Sequence, residues 1–162
     1  RAMVVGIPNV GKSTFINSFA GRACAKTGNR PGVTKGKQWI RLNKSLELLD
    51  TPGILWPKFE DQQVGMHLAF IGSMNDEIIV MEELAMELLT CLGQLYPDAV
   101  AQRYGISVRQ DTAVVLEEIA RCRGCLLKGE NLDLKKAADL LLDDFRSGRL
   151  GRITLERPEK PE

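Results

Sequence analysis

Apolar positions along the chain follow two regimes. In the first, they come as short runs broken by glycine and proline. "AMVV" from Ala2 to Val5 reads as a buried strand. The run stops at Gly6. From Lys12 to about Ala20, Phe15, Ile16 and Phe19 recur at helical spacing, which predicts a helix with those side chains on its inner face. "KQWIRL" and "LELLD" predict two strands joined by a turn at Asn43-Lys44, although a two-residue hairpin favours Asn-Gly. "DTPGILWP" then interrupts regular structure.

Beyond about Gln63 the second regime begins, and the spacing becomes helical. Between Asp76 and Tyr96, Met81, Leu84, Leu88, Leu92 and Leu95 repeat as one face of a helix. "YPDAVAQRYG" predicts a turn and a short helix. Asp111 is placed to cap a helix that buries Val115, Ile119 and Cys122. Asp133 is placed to cap another that buries Leu134, Ala137, Leu141 and Phe145. The tail "RPEKPE" is polar and rich in proline, and is predicted to fray. There is no internal repeat.

Composition narrows the picture only a little. The chain has 162 residues, enough for one ordinary domain or two small lobes. Its formal net charge of +1 gives no global attraction to nucleic acid or acidic lipid, so any such contact needs a local patch. No apolar run approaches the ~20 residues of a membrane span. No charged-then-apolar leader precedes the first strand, and a cytoplasmic location is predicted. The first residue is Arg1 rather than Met, as in a fragment or a chain that has lost an upstream part. Cys122 and Cys125 form CxxC, but Cys24 and Cys91 are too far apart in sequence to supply a second zinc-binding pair. The four cysteines are read as reduced thiols.

The candidate chemistry lies between Gly6 and Gly53. Gly6-Ile7-Pro8-Asn9-Val10-Gly11-Lys12-Ser13 matches G-x-x-x-x-G-K-[ST], with a strand before it and a helix after it. Glycine is needed where backbone turns sharply and approaches phosphate. The amides of Asn9, Val10, Gly11, Lys12 and Ser13, with Thr14 just inside the helix, are placed to face one anion at the helix's positive end. Lys12 is predicted to reach the β- and γ-phosphates, and the Ser13 hydroxyl to ligate Mg²⁺. In "LELLDTPG" a buried strand ends at Asp50, which delivers a carboxylate to the Mg²⁺ side, while Gly53 can offer its amide to the γ-phosphate. Between these anchors lies the glycine-rich, basic "TGNRPGVTKGK". Thr34, just before the next strand, is favoured over Thr27 as the threonine that joins Mg²⁺ and the γ-phosphate in the triphosphate state. Arg30, Lys35 and Lys37 read equally as RNA contacts or as a solvated basic loop. The fold class is therefore predicted as α/β: part of a P-loop sheet over residues 1–62, then an all-α lobe over residues 63–162.

These blocks resemble the translation-factor-like branch of P-loop GTPases. Ile54 stands where Ras-like members carry a water-orienting glutamine, and isoleucine cannot hydrogen-bond water. In GTPases with the "NVGKS" signature, the asparagine that matches Asn9 is associated with a bound K⁺. The other reading of Asn9 is a residue that stabilises the loop. No N-K-x-D base-reading motif follows Gly53, and the sole Asn-Lys is Asn43-Lys44 in the predicted turn. That order implies a circularly permuted GTPase whose base-reading strands precede Gly6.

With "PGVTKGKQWI", "LLDTPGILWPKFED", "VGMHLAFIGSMNDEI" and "LLLDDFRSGRLGRITLE" in order, the chain resembles the ribosome biogenesis GTPase A family (RbgA/YlqF) over nearly its whole length. The resemblance implies GTP binding and hydrolysis to GDP with Mg²⁺, late assembly of the large ribosomal subunit, and a helical lobe that helps to dock on rRNA. No stable oligomer is predicted. The N-terminal half, with N-K-x-D and the family's proposed catalytic histidine, has no counterpart here. His67 does not match that histidine and reads as a packing or surface residue. Two alternatives stand beside this reading: a permuted GTPase of small-subunit or organellar ribosome assembly, and a non-catalytic RNA- or protein-docking fragment.

Overall fold

The computed structural model describes residues 1–28, 32–55, 58–106 and 111–156. Arg30, the second proline of "DTPGILWP" and the tail at 157–162 lie outside the described residues. The chain divides into two units, Arg1–Glu77 and Ile78–Glu162.

In the first unit, β1 (Ala2–Val4), β2 (Gln38–Arg41) and β3 (Glu47–Asp50) form a sheet of order β1-β3-β2. β1 runs parallel to β3, and β2 runs antiparallel to it. β3 is thus paired on both sides, and its last residue, Asp50, stands level with Val4 and Gln38. Helix α1 (Lys12–Ala20) covers one face. Its Ile16 packs with Ala25, Ile40 and Leu48, and Val4, Leu42 and Leu46 border that core. The turn between β2 and β3 takes in Asn43, Lys44 and Ser45. The Asn43 side chain accepts from the Ser45 and Leu46 amides and from the Ser45 hydroxyl, which does the work that glycine does in a tighter turn.

Three expectations change here. β1 is shorter than Ala2–Val5 and is not buried. It forms the sheet's edge, and strand alternation turns Met3 and Val5 away from α1, leaving them exposed. Phe15 and Phe19 are likewise exposed. Ile16 takes the inner position, and the two rings stack on each other at 5.8 Å on a neighbouring face. The boundary between units falls after Glu77 rather than after residue 62, because helix α2 (Gln62–Phe70) and its tail bond to the glycine loop of the first unit. Asp61 caps α2 by accepting from the Gln63 amide. His67 is half-buried, with its ring beside Phe70.

The second unit is helical: α3 (Met81–Leu95), α4 (Pro97–Tyr104), α5 (Thr112–Cys122) and α6 (Leu134–Arg146). A 3₁₀ turn at Asp76–Ile78 precedes α3, so the apolar repeat anticipated from Asp76 starts its helix at Met81. Asp111 and Asp133 cap α5 and α6, accepting from the amides of Ala113 and Lys136. Leu84, Leu88, Leu92, Val115, Leu116, Ile119, Ala137 and Leu141 are buried. Cys122 is exposed instead of buried, because α5 turns Leu116 and Ala120 inward and Cys125, past the helix end, fills the core. None of the described helices is long and apolar enough to cross a membrane.

One polar group is sealed into this unit. Asp144, 2% exposed, accepts from Arg103 Nε at 2.7 Å, from Tyr104 Oη at 3.0 Å and from Arg149 Nε. Burial alone raises a carboxyl pKa, but the hydrogen bonds from Arg103, Arg149 and Tyr104 outweigh it and hold Asp144 below the usual aspartate range. A depressed folded pKa contributes stability above the unfolded value, and that stability is lost as pH falls through the folded one. Both arginines are partly exposed, which moderates the gain. Asp144→Asn should therefore cost about 2 kcal/mol near pH 7. In urea denaturation, the gap from the parent chain should narrow as pH falls below about 4.

Candidate nucleotide site

The site forms where β1 ends and α1 begins. Asn9 and Gly11 both sit in left-handed backbone, at φ 60° and 89°. Glycine enters that region without cost, and asparagine is among the few other residues that visit it readily. The reversal brings the loop onto the start of α1. Gly11 occupies the N-cap position, with no side chain capping the helix and no acidic residue in its first turn. The first amides of α1 are thus left to an external acceptor, at the end where the helix dipole favours anions.

Around this point lies a cavity of about 350 Å³. Pro8, Asn9, Gly11, Lys12, Ser13, Thr14, Thr34 and Gly53 line it, so the structure brings together most of the residues singled out in the sequence. Val10 is not among the lining residues, and its side chain is half exposed. Thr27 lines the cavity with Lys26 and Val33. Lys26 and Val33 were not singled out from the sequence. Their signal was position: Val33 falls in the basic segment beside Thr34, and Lys26 immediately precedes it.

Lys12 Nζ donates to the carbonyls of Gly6 at 3.0 Å and Ile7 at 2.7 Å, which hold the ammonium across the loop. Desolvation lowers its pKa, and the nearby Asp50 charge opposes that shift. Ser13 Oγ lies 3.2 Å from Thr34 Oγ1 and donates to Asp50 Oδ2 at 3.2 Å. Thus the three residues assigned to Mg²⁺ meet at the Ser13 hydroxyl. Asp50 is 2% exposed, and its Oδ1 has no hydrogen-bond partner among the described residues. A buried carboxylate oxygen without a partner is costly unless something pairs with it. Two hydroxyls and a carboxylate form the all-oxygen donor set that a hard divalent cation prefers, so the residues fit Mg²⁺.

Gly53 closes the site from the far side of "DTPG". A β-carbon there would stand 2.4 Å from Pro8 N and Cα, so only glycine lets this turn lie on the loop. Thr51 anchors the turn by donating to the Val4 carbonyl at 2.7 Å. Asn17 was not anticipated as part of this architecture. Its side chain accepts from the Cys24 and Ala25 amides and donates to the Ala25 carbonyl, fixing the start of the basic segment. The signal was a poor helix former inside an otherwise regular helix.

Residues 1–113 match the family described as 50S ribosome-binding GTPase. The chain belongs to that family. Among its relatives is the ribosome biogenesis GTPase A of Bacillus cereus, 47% identical over 161 residues, covering 99% of this chain and 54% of the relative. The resemblance to ribosome biogenesis GTPase A is thus borne out along nearly the whole chain. The GNP-bound structure of YlqF from Thermotoga maritima is similar with a TM-score of 0.67 at 31% identity, covering 99% of this chain and 60% of that one. The GDP-bound form is similar at 0.61. The α/β reading, a partial P-loop GTPase with a helical lobe, is borne out with it. The chain spans about half the length of the curated relatives it matches.

Gly53→Ala tests how tightly the site is packed. The added methyl must displace Pro8 backbone, so a loss of about 1–3 kcal/mol is expected in urea denaturation of the first unit.

Proposed function

We propose that this chain is the phosphate-holding part of a GTPase that hydrolyses GTP to GDP during assembly of the large ribosomal subunit. The observation that carries this reading is the meeting of Ser13, Thr34 and Asp50 beside an uncapped helix start. The α1 amides and Lys12 bind and orient the phosphates. Thr34 and Gly53 belong to segments that meet the γ-phosphate end, so their order reports the triphosphate. Ser13, Thr34 and Asp50 would hold Mg²⁺, which would supply positive charge against that developing on the transferring phosphoryl group.

Ile54 is 78% exposed and offers water no hydrogen bond, so polarisation of the attacking water falls to another group. K⁺ held by Asn9 would serve the same electrostatic need as an arginine finger. The Asn9 carbonyl oxygen is the atom with the right chemistry. Replacing KCl with NaCl tests this role and should slow turnover in a longer chain that carries the base-reading half.

None of the named groups distinguishes guanine from adenine, and Asn43 is committed to its turn. Guanine selection is assigned to the N-K-x-D strands of the permuted fold. ATP should therefore compete with labelled GTP on this chain within about tenfold, a gap of 1.4 kcal/mol. A hundredfold preference for GTP would place a base-reading group within these residues. Lys12→Ala should weaken either triphosphate by at least about tenfold in fluorescence titration. The proposed partners are the large-subunit precursor and its rRNA, in the cytoplasm. Co-sedimentation of the longer chain with large rather than small precursor subunits, dependent on GTP, tests that assignment.

A further inference from the structure

The glycine loop is gripped from a direction that the phosphate site does not use. Ser73, 1% exposed, donates from Oγ to the Pro8 carbonyl at 2.7 Å. One residue earlier, the Gly72 carbonyl accepts from Asn9 Nδ2 at 3.2 Å. Two adjacent residues past α2 therefore hold two adjacent residues of the loop. Pro8 lacks an N–H, which makes its carbonyl the backbone handle at that position. On its other side the same residue meets Gly53.

The clamp is rigid for a local reason. Gly72 has φ 72° and ends α2 in left-handed backbone. The Gly72 amide donates to Ala69 O at 3.0 Å and the Ser73 amide to Leu68 O at 2.9 Å. That pairing is a Schellman ending, which fixes Ser73 to the last turn of the helix. Leu68, Ala69 and Phe70 of that turn are buried. The Ser73 hydroxyl is consequently aimed by the helix and cannot follow the loop independently. When the loop shifts, either the bond breaks or α2 moves with it.

We propose that Gly72 and Ser73 form a positioning clamp through which a ligand in the glycine loop controls the end of α2. This rests on the nucleotide reading above. Ser73 touches no reacting atom. It acts by placing Pro8 and, through Gly72, the amide of Asn9. The coupling adds a second route from the loop into the segment after "DTPG", alongside the contact at Gly53.

Hydrogen exchange on this chain, with and without the non-hydrolysable GTP analogue GMPPNP and Mg²⁺, tests the clamp. In the parent chain the analogue should slow exchange both at the loop amides (residues 9–14) and at the α2 end (residues 66–73). Ser73→Ala should keep the loop protection and lose the ligand-dependent part at the α2 end by about fivefold or more, roughly 1 kcal/mol, the scale of one hydrogen bond. Ser73→Thr, which keeps a hydroxyl, should restore it. A merely structural role would lower protection with and without ligand alike, and that result overturns the proposal. So does equal ligand-dependent protection of both segments in Ser73→Ala. Protection of the loop without the α2 end in the parent chain overturns the clamp and leaves the nucleotide reading standing. Protection of neither removes the nucleotide reading, and the clamp with it.

Discussion

The first unit is organised around one buried carboxylate. Asp50 ends the central strand of a three-stranded sheet, nearly sealed from solvent, with one oxygen satisfied by Ser13 and the other without a partner among the described residues. A folded chain keeps such a group only where a charge of opposite sign can meet it. Everything around it serves that meeting. β1 and β2 fix the end of β3, Thr51 ties the following turn to β1, and Gly53 lets the turn lie on the glycine loop. Ser13 then shares its hydroxyl between Asp50 and Thr34, bringing two segments far apart in sequence to one point.

The second unit uses a buried carboxylate differently. Asp144 has its partners within the unit, because Arg103, Tyr104 and Arg149 converge on it. No ligand is needed there, and the group fastens α4 and the segment after α6 to one another. The two carboxylates differ in what surrounds them: Asp144 is closed by the protein itself, whereas Asp50 Oδ1 has no hydrogen-bond partner among the described residues.

Much of the site was legible in the sequence because phosphate chemistry constrains local residues. Gly11, Lys12 and Ser13 must stand together between a strand and a helix, and Asp50 must end a strand. Thr34 stands just before β2 and its hydroxyl lies against Ser13, while Thr27 also lines the cavity. The α2 clamp was less legible. "GS" after an apolar run signals a helix end, but nothing local says which carbonyl Ser73 will meet. Exposure was misread for the same reason. Met3, Val5, Phe15 and Phe19 are apolar at regular spacings, yet which face is covered depends on what packs there, and spacing alone does not carry that.

The function proposed above makes Asp50 the carboxylate of a Mg²⁺ site that acts with phosphate. Thermal denaturation in the presence of the non-hydrolysable analogue GMPPNP, with millimolar-range Mg²⁺ against EDTA, tests it directly on the parent chain and on Asp50→Asn. Mg²⁺ should raise the parent midpoint and leave Asp50→Asn unmoved. An equal rise in both chains would contradict it.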